Sequence, residues 1–295
     1  MNKNGLAVAS LIGVTIAWGA SFVVMKPAMA EIQVLDFLGI RFTIAALLMI
    51  LVRPKTVLAF RGPTLKYGIC LGLILAVAYI TQTIGLTVST AAITGFVTGL
   101  YVVLTPLLIW FFFAKRPKAS VAIAVLLATI GLGLITIKDA SFDLGQLWIL
   151  AGALAFALHI VGLSRWSQDK DVYALTVIQL AAVGVACWIG AVPDGVDLTT
   201  SPLVWFAIIF TAVFATALAF FVQTWAQSIM DASRVAIILT LEVVFAALTS
   251  VLVGQEVLSI QTILGGALML IAMLVVEWPR KDRRLEDVVY EPMPH

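Results

Sequence analysis

The chain has 295 residues, of which 62% are hydrophobic and 12% charged, with a mean hydropathy of +1.10. A soluble globular domain carries about 25% charge, so a water-soluble fold is excluded, and a formal net charge of +2 without a basic stripe gives no reason to expect a nucleic-acid partner. Ten apolar runs, each near the ~20 residues that a membrane-crossing helix needs, predict an all-α membrane protein with ten transmembrane helices.

The runs fall at 6–25, 34–52, 66–86, 92–112, 120–137, 145–163, 172–192, 203–225, 233–253 and 260–278. Lys3, the first run and Ala28-Met29-Ala30 imitate a secretory signal with its A-x-A cleavage site. The run exceeds the usual signal core of about 7 to 15 residues and contains Trp18, Gly19 and Ser21, so it is read as a retained helix. The connections are short, which leaves no room for a soluble domain between spans. Cys70 and Cys187 stand alone in separate runs and are expected to be buried free thiols.

Orientation follows from Lys and Arg, because short cytoplasmic loops retain positive charge. With the N-terminus inside, 15 of the 18 Lys and Arg residues fall on the inner side, including Lys3, the 53–66 group, the 115–118 group and the 280–284 group. Only Lys26 and Lys138 fall outside, and Arg41 lies within a span. Both termini are therefore expected in the cytoplasm, and Thr56 and Thr199 are expected on opposite sides of the membrane.

The ten runs divide into two sets of five. Ser21 aligns with His159 and Arg41 with Gln179 at an offset of 138, while Gln82-Thr83 aligns with Gln223-Thr224 at 141. Pro106 aligns with Val243 at 137. An odd number of spans per set makes the copies cross in opposite senses, an inverted-topology repeat of the kind many secondary transporters use. The expected units are residues 1–138, residues 139–279 and a cytoplasmic tail at 280–295.

"WGASFVVMK" in the first span, "FLGIRFTIAALLM" in the second, "TAAITGFVTGLYVVLTPLL" in the fourth, "LEVVFAALTSVLVGQEVLS" from the ninth into the tenth and "ILGGALMLIAM" near the end together resemble the EamA-type permeases of the drug/metabolite transporter superfamily. The resemblance covers residues 5–278 and, within that family, is greatest to bacterial exporters of amino acids, including aromatic ones. It departs from the family where Val243, not Pro, follows Glu242, so a kink is expected at Pro106 in the fourth span and is in doubt in the ninth. Substrate does not follow from the fold.

Polar residues inside spans favour the bundle interior. Thr94, Thr98, Tyr101 and Thr105 share one helical stripe, as do Thr216, Phe220, Gln223 and Gln227. Either the two Gln-Thr pairs line a shared cavity, or Thr bonds back to its own helix and Gln bridges neighbours. The expected binding set is Trp18, Phe22, Tyr79, Tyr101 and Trp225 around an apolar side chain, with Gln82, Gln223 and His159 at the polar end. For His159 a packing hydrogen bond is the competing reading. Arg41 and Glu242 are candidates for coupling or gating, as a bridge, as a structural pair or, for Glu242, as a proton carrier. Gly68, Gly72, Gly95 and Gly99 allow close helix approach, for packing or for a moving interface.

Two His, two Cys, no H-E-x-x-H and no paired intramembrane Asp give no constellation for hydrolytic or metal chemistry, so no catalytic residue, metal or cofactor is expected. The expected function is export of small zwitterionic metabolites, amino acids with apolar or aromatic side chains, across the bacterial inner membrane by alternating access. Proton-coupled export of lipophilic cations is the alternative. The partners expected are the substrate and the lipid bilayer, with no obligate protein partner.

Overall fold

A computed structural model describes residues 3–89, 91–136, 144–196, 198, 201–254 and 260–277. In lipid every backbone N–H and C=O must be satisfied within the protein, and every regular element among the described residues is helical. In chain order they are α1 (Lys3–Ala28), α2 (Val34–Val52), a short 3₁₀ helix (Pro54–Ala59), α3 (Gly62–Val88), α4 (Ala91–Gly99), α5 (Tyr101–Phe113), α6 (Ala119–Thr136), α7 (Leu144–Trp166) and α8 (Val172–Ala191). There follow a single 3₁₀ turn (Val192–Asp194), α9 (Pro202–Ala212), a π-helical segment (Val213–Leu218), α10 (Ala219–Gln227), α11 (Ala232–Leu239), α12 (Leu241–Leu252) and α13 (Ile260–Glu277).

Seven of these stretches are long and apolar enough to cross a bilayer alone: α1, α2, α3, α7, α8, Pro202–Gln227 and Ala232–Leu252. Shorter apolar helices at Val97–Phe113, Ala119–Gly131 and Ile263–Val275 occupy the remaining apolar runs. Exposed Leu51, Ile189 and Leu252 suit contact with lipid tails. The division at 138 and the tail at 280–295 lie outside the described residues.

Packing runs mainly between the two halves of the chain: α3 against α7 and α8, α2 against α8, α1 against α12, and α6 against α13. Small residues set the closest approaches. A Cβ on Gly19 would stand 2.6 Å from the backbone of Glu242 and Ala246, which fixes α12 against α1. Gly68 and Gly72 meet Ile178 and Ala182 of α8 at 2.6 Å in the same sense, so this glycine pair serves helix packing. Cys187 is buried as expected, but Cys70 is exposed, because it lies on the opposite side of α3 from the faces that meet α7 and α8.

Both long spans of the fourth and ninth runs are broken, and neither break is at a proline. Leu100 (φ −61°, ψ −12°) separates α4 from α5, and Thr240 (φ −61°, ψ −15°) separates α11 from α12. The breaks are 140 positions apart with nearly the same backbone, so Pro106 corresponds in register to Ala246 and not to Val243. Each break carries an i→i+3 hydrogen bond, Val103 N–H to Leu100 O at 3.0 Å and Val243 N–H to Thr240 O at 3.1 Å. The Thr240 hydroxyl also bonds back to Ile237 O at 2.7 Å, a competition with the helix ladder that bends helices. The helix ladder of the ninth span is therefore interrupted at Thr240 although Val243, not Pro, follows Glu242.

Polar contacts tie the helix ends. At the C-terminus of α1, Lys26 Nζ donates to the carbonyls of Leu86 (2.6 Å), Thr87 (3.3 Å) and Ser89 (2.8 Å) at the end of α3, where a cation also meets the negative end of the helix dipole. At the end of α2, Arg53 pairs with Asp171 at 3.5 Å and Tyr173 Oη donates to Met49 O at 2.6 Å. The α2–α3 and α7–α8 junctions thus share one side of the bundle. Thr56, in the first of these junctions, is buried, which makes it a poor labelling position.

Candidate functional site

A cavity of about 40 Å³ lies where α1, α3, α7 and the segments α10 and α12 converge. Its wall is aromatic: Tyr79 stands edge-on to Phe156 (5.3 Å between ring centroids) and Phe220 (5.9 Å), and Trp18 packs on Phe220 at 5.6 Å. Trp18 Nε1 donates to Ala215 O at 2.8 Å, which fixes the indole across the gap between α1 and the π segment. Such a volume admits a few waters at roughly 10–15 Å³ each, so a metabolite requires the helices to part.

Of the expected binding residues, Trp18, Phe22, Tyr79, Gln82, Tyr101 and Gln223 border the cavity, as do Arg41 and Glu242. Two do not. Trp225 lies two positions from Gln223, about 200° around the helix, and packs instead with the Leu11 and Val235 cluster. His159 is fully buried, with Nε2 2.7 Å from Gln179 Oε1. Gln179 Nε2 donates to Leu175 O at 3.1 Å, so its amide oxygen accepts the His159 Nε2 proton. The packing reading of His159 holds.

The residues overlooked in the sequence are Met25, Phe156, Ile160 and Leu239, with Phe220 seen only as part of a stripe. Repeat offsets account for most of them. Trp18 pairs with Phe156 and Phe22 with Ile160 at 138, whereas Tyr79 pairs with Phe220 and Gln82 with Gln223 at 141. Eight of the fifteen lining residues are therefore four repeat-related pairs. Around the matched breaks the offset is 140, which sets Thr98 against Ile238 and Tyr101 against Leu241, so Thr98, Tyr101, Leu239 and Glu242 line the cavity without such partners, as do Ser21, Met25 and Arg41.

The polar groups have unequal partners. Gln82 Nε2 donates to Thr98 Oγ1 at 3.0 Å, and Gln223 Nε2 to Gln227 Oε1 at 2.9 Å. Gln227 Nε2 in turn bonds Ile160 O (2.7 Å) and Ser164 Oγ (2.8 Å) of α7, so this Gln bridges helices. Buried Gln223 Oε1 has no hydrogen-bond partner among the described residues, whereas the Tyr101 hydroxyl and the Glu242 carboxyl face one another. Arg41, fully buried, donates from Nε to Thr216 Oγ1 at 2.7 Å, its Nη atoms reach Met25 Sδ and Ala215 O, both at 3.4 Å, and it also meets the Tyr79 hydroxyl. Its guanidinium lies 5.0 Å from the Tyr79 ring centroid. Arg41 and Glu242 do not form an ion pair, although they share the cavity. Each is held by its own helix and neighbours, on α2 and α12. Among the described residues no group of three His, Cys, Asp or Glu side chains is placed to hold a metal.

Comparison with known proteins agrees with this architecture. The model of the EamA-like transporter family matches residues 5–137 and again 143–278. An uncharacterized transporter of Archaeoglobus fulgidus is 33% identical over 273 residues, 92% of this chain and 84% of that protein. A biotin transporter of Escherichia coli is 25% identical over 203 residues, 64% of this chain and 68% of its own length. A solved crystal structure superposes with a TM-score of 0.76 at 17% identity, over 90% of this chain and 95% of the other, a likeness of fold alone. Two family matches in tandem, the paired cavity residues and the matched breaks at Leu100 and Thr240 all describe one duplicated unit, and the chain belongs to the EamA-like transporter family.

Proposed function

We propose that this multi-pass membrane transporter exports small zwitterionic metabolites, amino acids with apolar or aromatic side chains, across the bacterial inner membrane by alternating access. In this reading it crosses the membrane ten times with both termini cytoplasmic. One observation carries it: the unpartnered Gln223 Oε1 and the Glu242 carboxyl, which faces the Tyr101 hydroxyl, belong to the same cavity as the aromatic wall. An ammonium offers three donors to such a set, while Tyr79, Phe156 and Phe220 pack an apolar side chain.

The Escherichia coli relatives are named biotin transporters, and biotin is likewise a small molecule with one ionisable end and an apolar body. Glu242 in the cavity favours the rival, a proton-coupled exporter of lipophilic cations, but Arg41 in the same cavity repels such cargo.

Purified protein in liposomes should exchange labelled phenylalanine against internal phenylalanine. Uptake of tetraphenylphosphonium that needs both Glu242 and a proton gradient, without movement of phenylalanine, would overturn the proposal. For orientation, cysteines at exposed Lys55 and Val196 in a background without Cys70 and Cys187 should react with an impermeant thiol reagent from opposite sides. Equal labelling removes the topology.

A further inference from the structure

We infer that Arg41 is the carboxylate subsite of this transporter, so that the cargo must carry an anionic group. The inference rests on reading the cavity as the cargo site, and it adds which end of the molecule decides admission.

The first support is a buried cation without a counter-charge. A guanidinium has five N–H groups and no acceptor. Arg41 uses Nε–H in a short bond to Thr216, and its Nη groups meet only neutral partners, the Met25 sulfur, the Ala215 carbonyl and the Tyr79 hydroxyl. No carboxylate of the described residues pairs with it. The rings of Tyr79 and Phe42, at 5.0 and 5.4 Å, offset part of a buried cation's cost. They do not supply the planar pair of acceptors that the guanidinium fork matches in a carboxylate.

The second support is the repeat. The same place in the second half holds Gln179, 138 positions on, which satisfies itself against His159 and Leu175. In the second half this position holds a neutral, internally bonded amide that does not border the cavity. A charge appears only in the half where the side chain borders the cavity, alongside Ser21 and Met25. A purely structural role would not require the asymmetry.

The third is polarity within the cavity. Arg41 presents donors, whereas Gln223 Oε1 and the Glu242 carboxyl contribute acceptors. A molecule with a carboxylate at one end of its polar head and an ammonium at the other meets both sets. A molecule lacking the carboxylate leaves a buried charge uncompensated, which costs several kcal/mol.

The test uses full-length protein in liposomes and five probes: phenylalanine, phenylalaninamide, 3-phenylpropionate, biotin and tetraphenylphosphonium. Phenylalanine should be transported and its amide should be at least tenfold poorer in uptake and in competition. Arg41→Gln should raise the KM for phenylalanine at least tenfold while narrowing the gap between acid and amide, and Arg41→Lys should restore part of that gap. If Arg41→Gln does not fold, the acid-to-amide comparison on the unaltered protein and the Arg41→Lys variant still decide. Transport of biotin or 3-phenylpropionate without phenylalanine would sink the amino-acid proposal and leave this inference standing. Equal handling of acid and amide, preference for tetraphenylphosphonium, or no transport of any of the three carboxylates overturns it.

Discussion

The two halves of the chain build the cavity together but unequally. Four pairs of equivalent positions supply much of its wall, so both copies contribute Gln82 or Gln223 and an aromatic at Tyr79 or Phe220. The set that includes Ser21 and Arg41 in the first half becomes His159 and Gln179 in the second, and there it closes on itself with a 2.7 Å hydrogen bond. Much of the shape is thus a property of the repeat, and the cation is a property of one copy. The helix ends differ in the same way: Lys26 clasps α3 with an ammonium, whereas the equivalent position, Ser164, is joined to α10 by the neutral amide of Gln227 at 2.8 Å.

The largest effect that would sharpen this comparison is expected at Gly19 and its equivalent Ala157. Gly19→Ala has no space against the Glu242 and Ala246 backbones and should cost about 3 kcal/mol, at the upper end for overpacking, with a clear fall in Tm in detergent. Ala157→Gly should cost only ~1 kcal/mol. Similar losses at both positions would mean that α1 and α7 pack alike.

A smaller effect separates Gln179 from Arg41. Gln179→Leu strands the His159 ring nitrogen and should cost about 1–3 kcal/mol of stability while leaving the KM for cargo within twofold. His159→Phe combined with Gln179→Leu should be less harmful than the two losses added, since removing both partners is nearly neutral. A large KM change in Gln179→Leu would place this pair in the transport path.

The smallest concerns the clasps. Lys26→Met removes a half-exposed charge-assisted contact worth about 1 kcal/mol, so a Ser21→Cys reporter should react several-fold faster with an impermeant thiol reagent added at the Lys26 side. Gln227→Leu should have its effect from the other side. Unchanged rates in both would show that neither contact holds a gate.

Much of this arrangement is legible in the residues. The ten apolar runs, the duplication and six cavity residues stand out because a Gln, Tyr or Trp contrasts with an apolar surrounding. Phe156, Ile160 and Leu239 carry no such contrast; the offset from Trp18 and Phe22 marks the first two, and no local pattern marks Leu239. Trp225 misled because adjacency to Gln223-Thr224 says nothing of face, and two residues along a helix point away from each other. The breaks of the fourth and ninth spans at Leu100 and Thr240, where i→i+3 bonding interrupts the ladder, carry no proline signal. The separation of Arg41 from Glu242 depends on how α2 and α12 sit across the bundle, which no local pattern records.

The π-helical segment Val213–Leu218 has a consequence for how this chain can change over generations. Such a segment holds an extra residue without a loop, and here it bears the Ala215 carbonyl and Thr216 hydroxyl that receive Trp18 and Arg41. Losing one codon in a surface loop is commonly tolerated. Losing one between 213 and 218 would restore ordinary helix and turn Phe220 and Gln223 by about 100°, away from the cavity. Deletions in this stretch should therefore be lethal to transport even where they preserve every residue of the binding set.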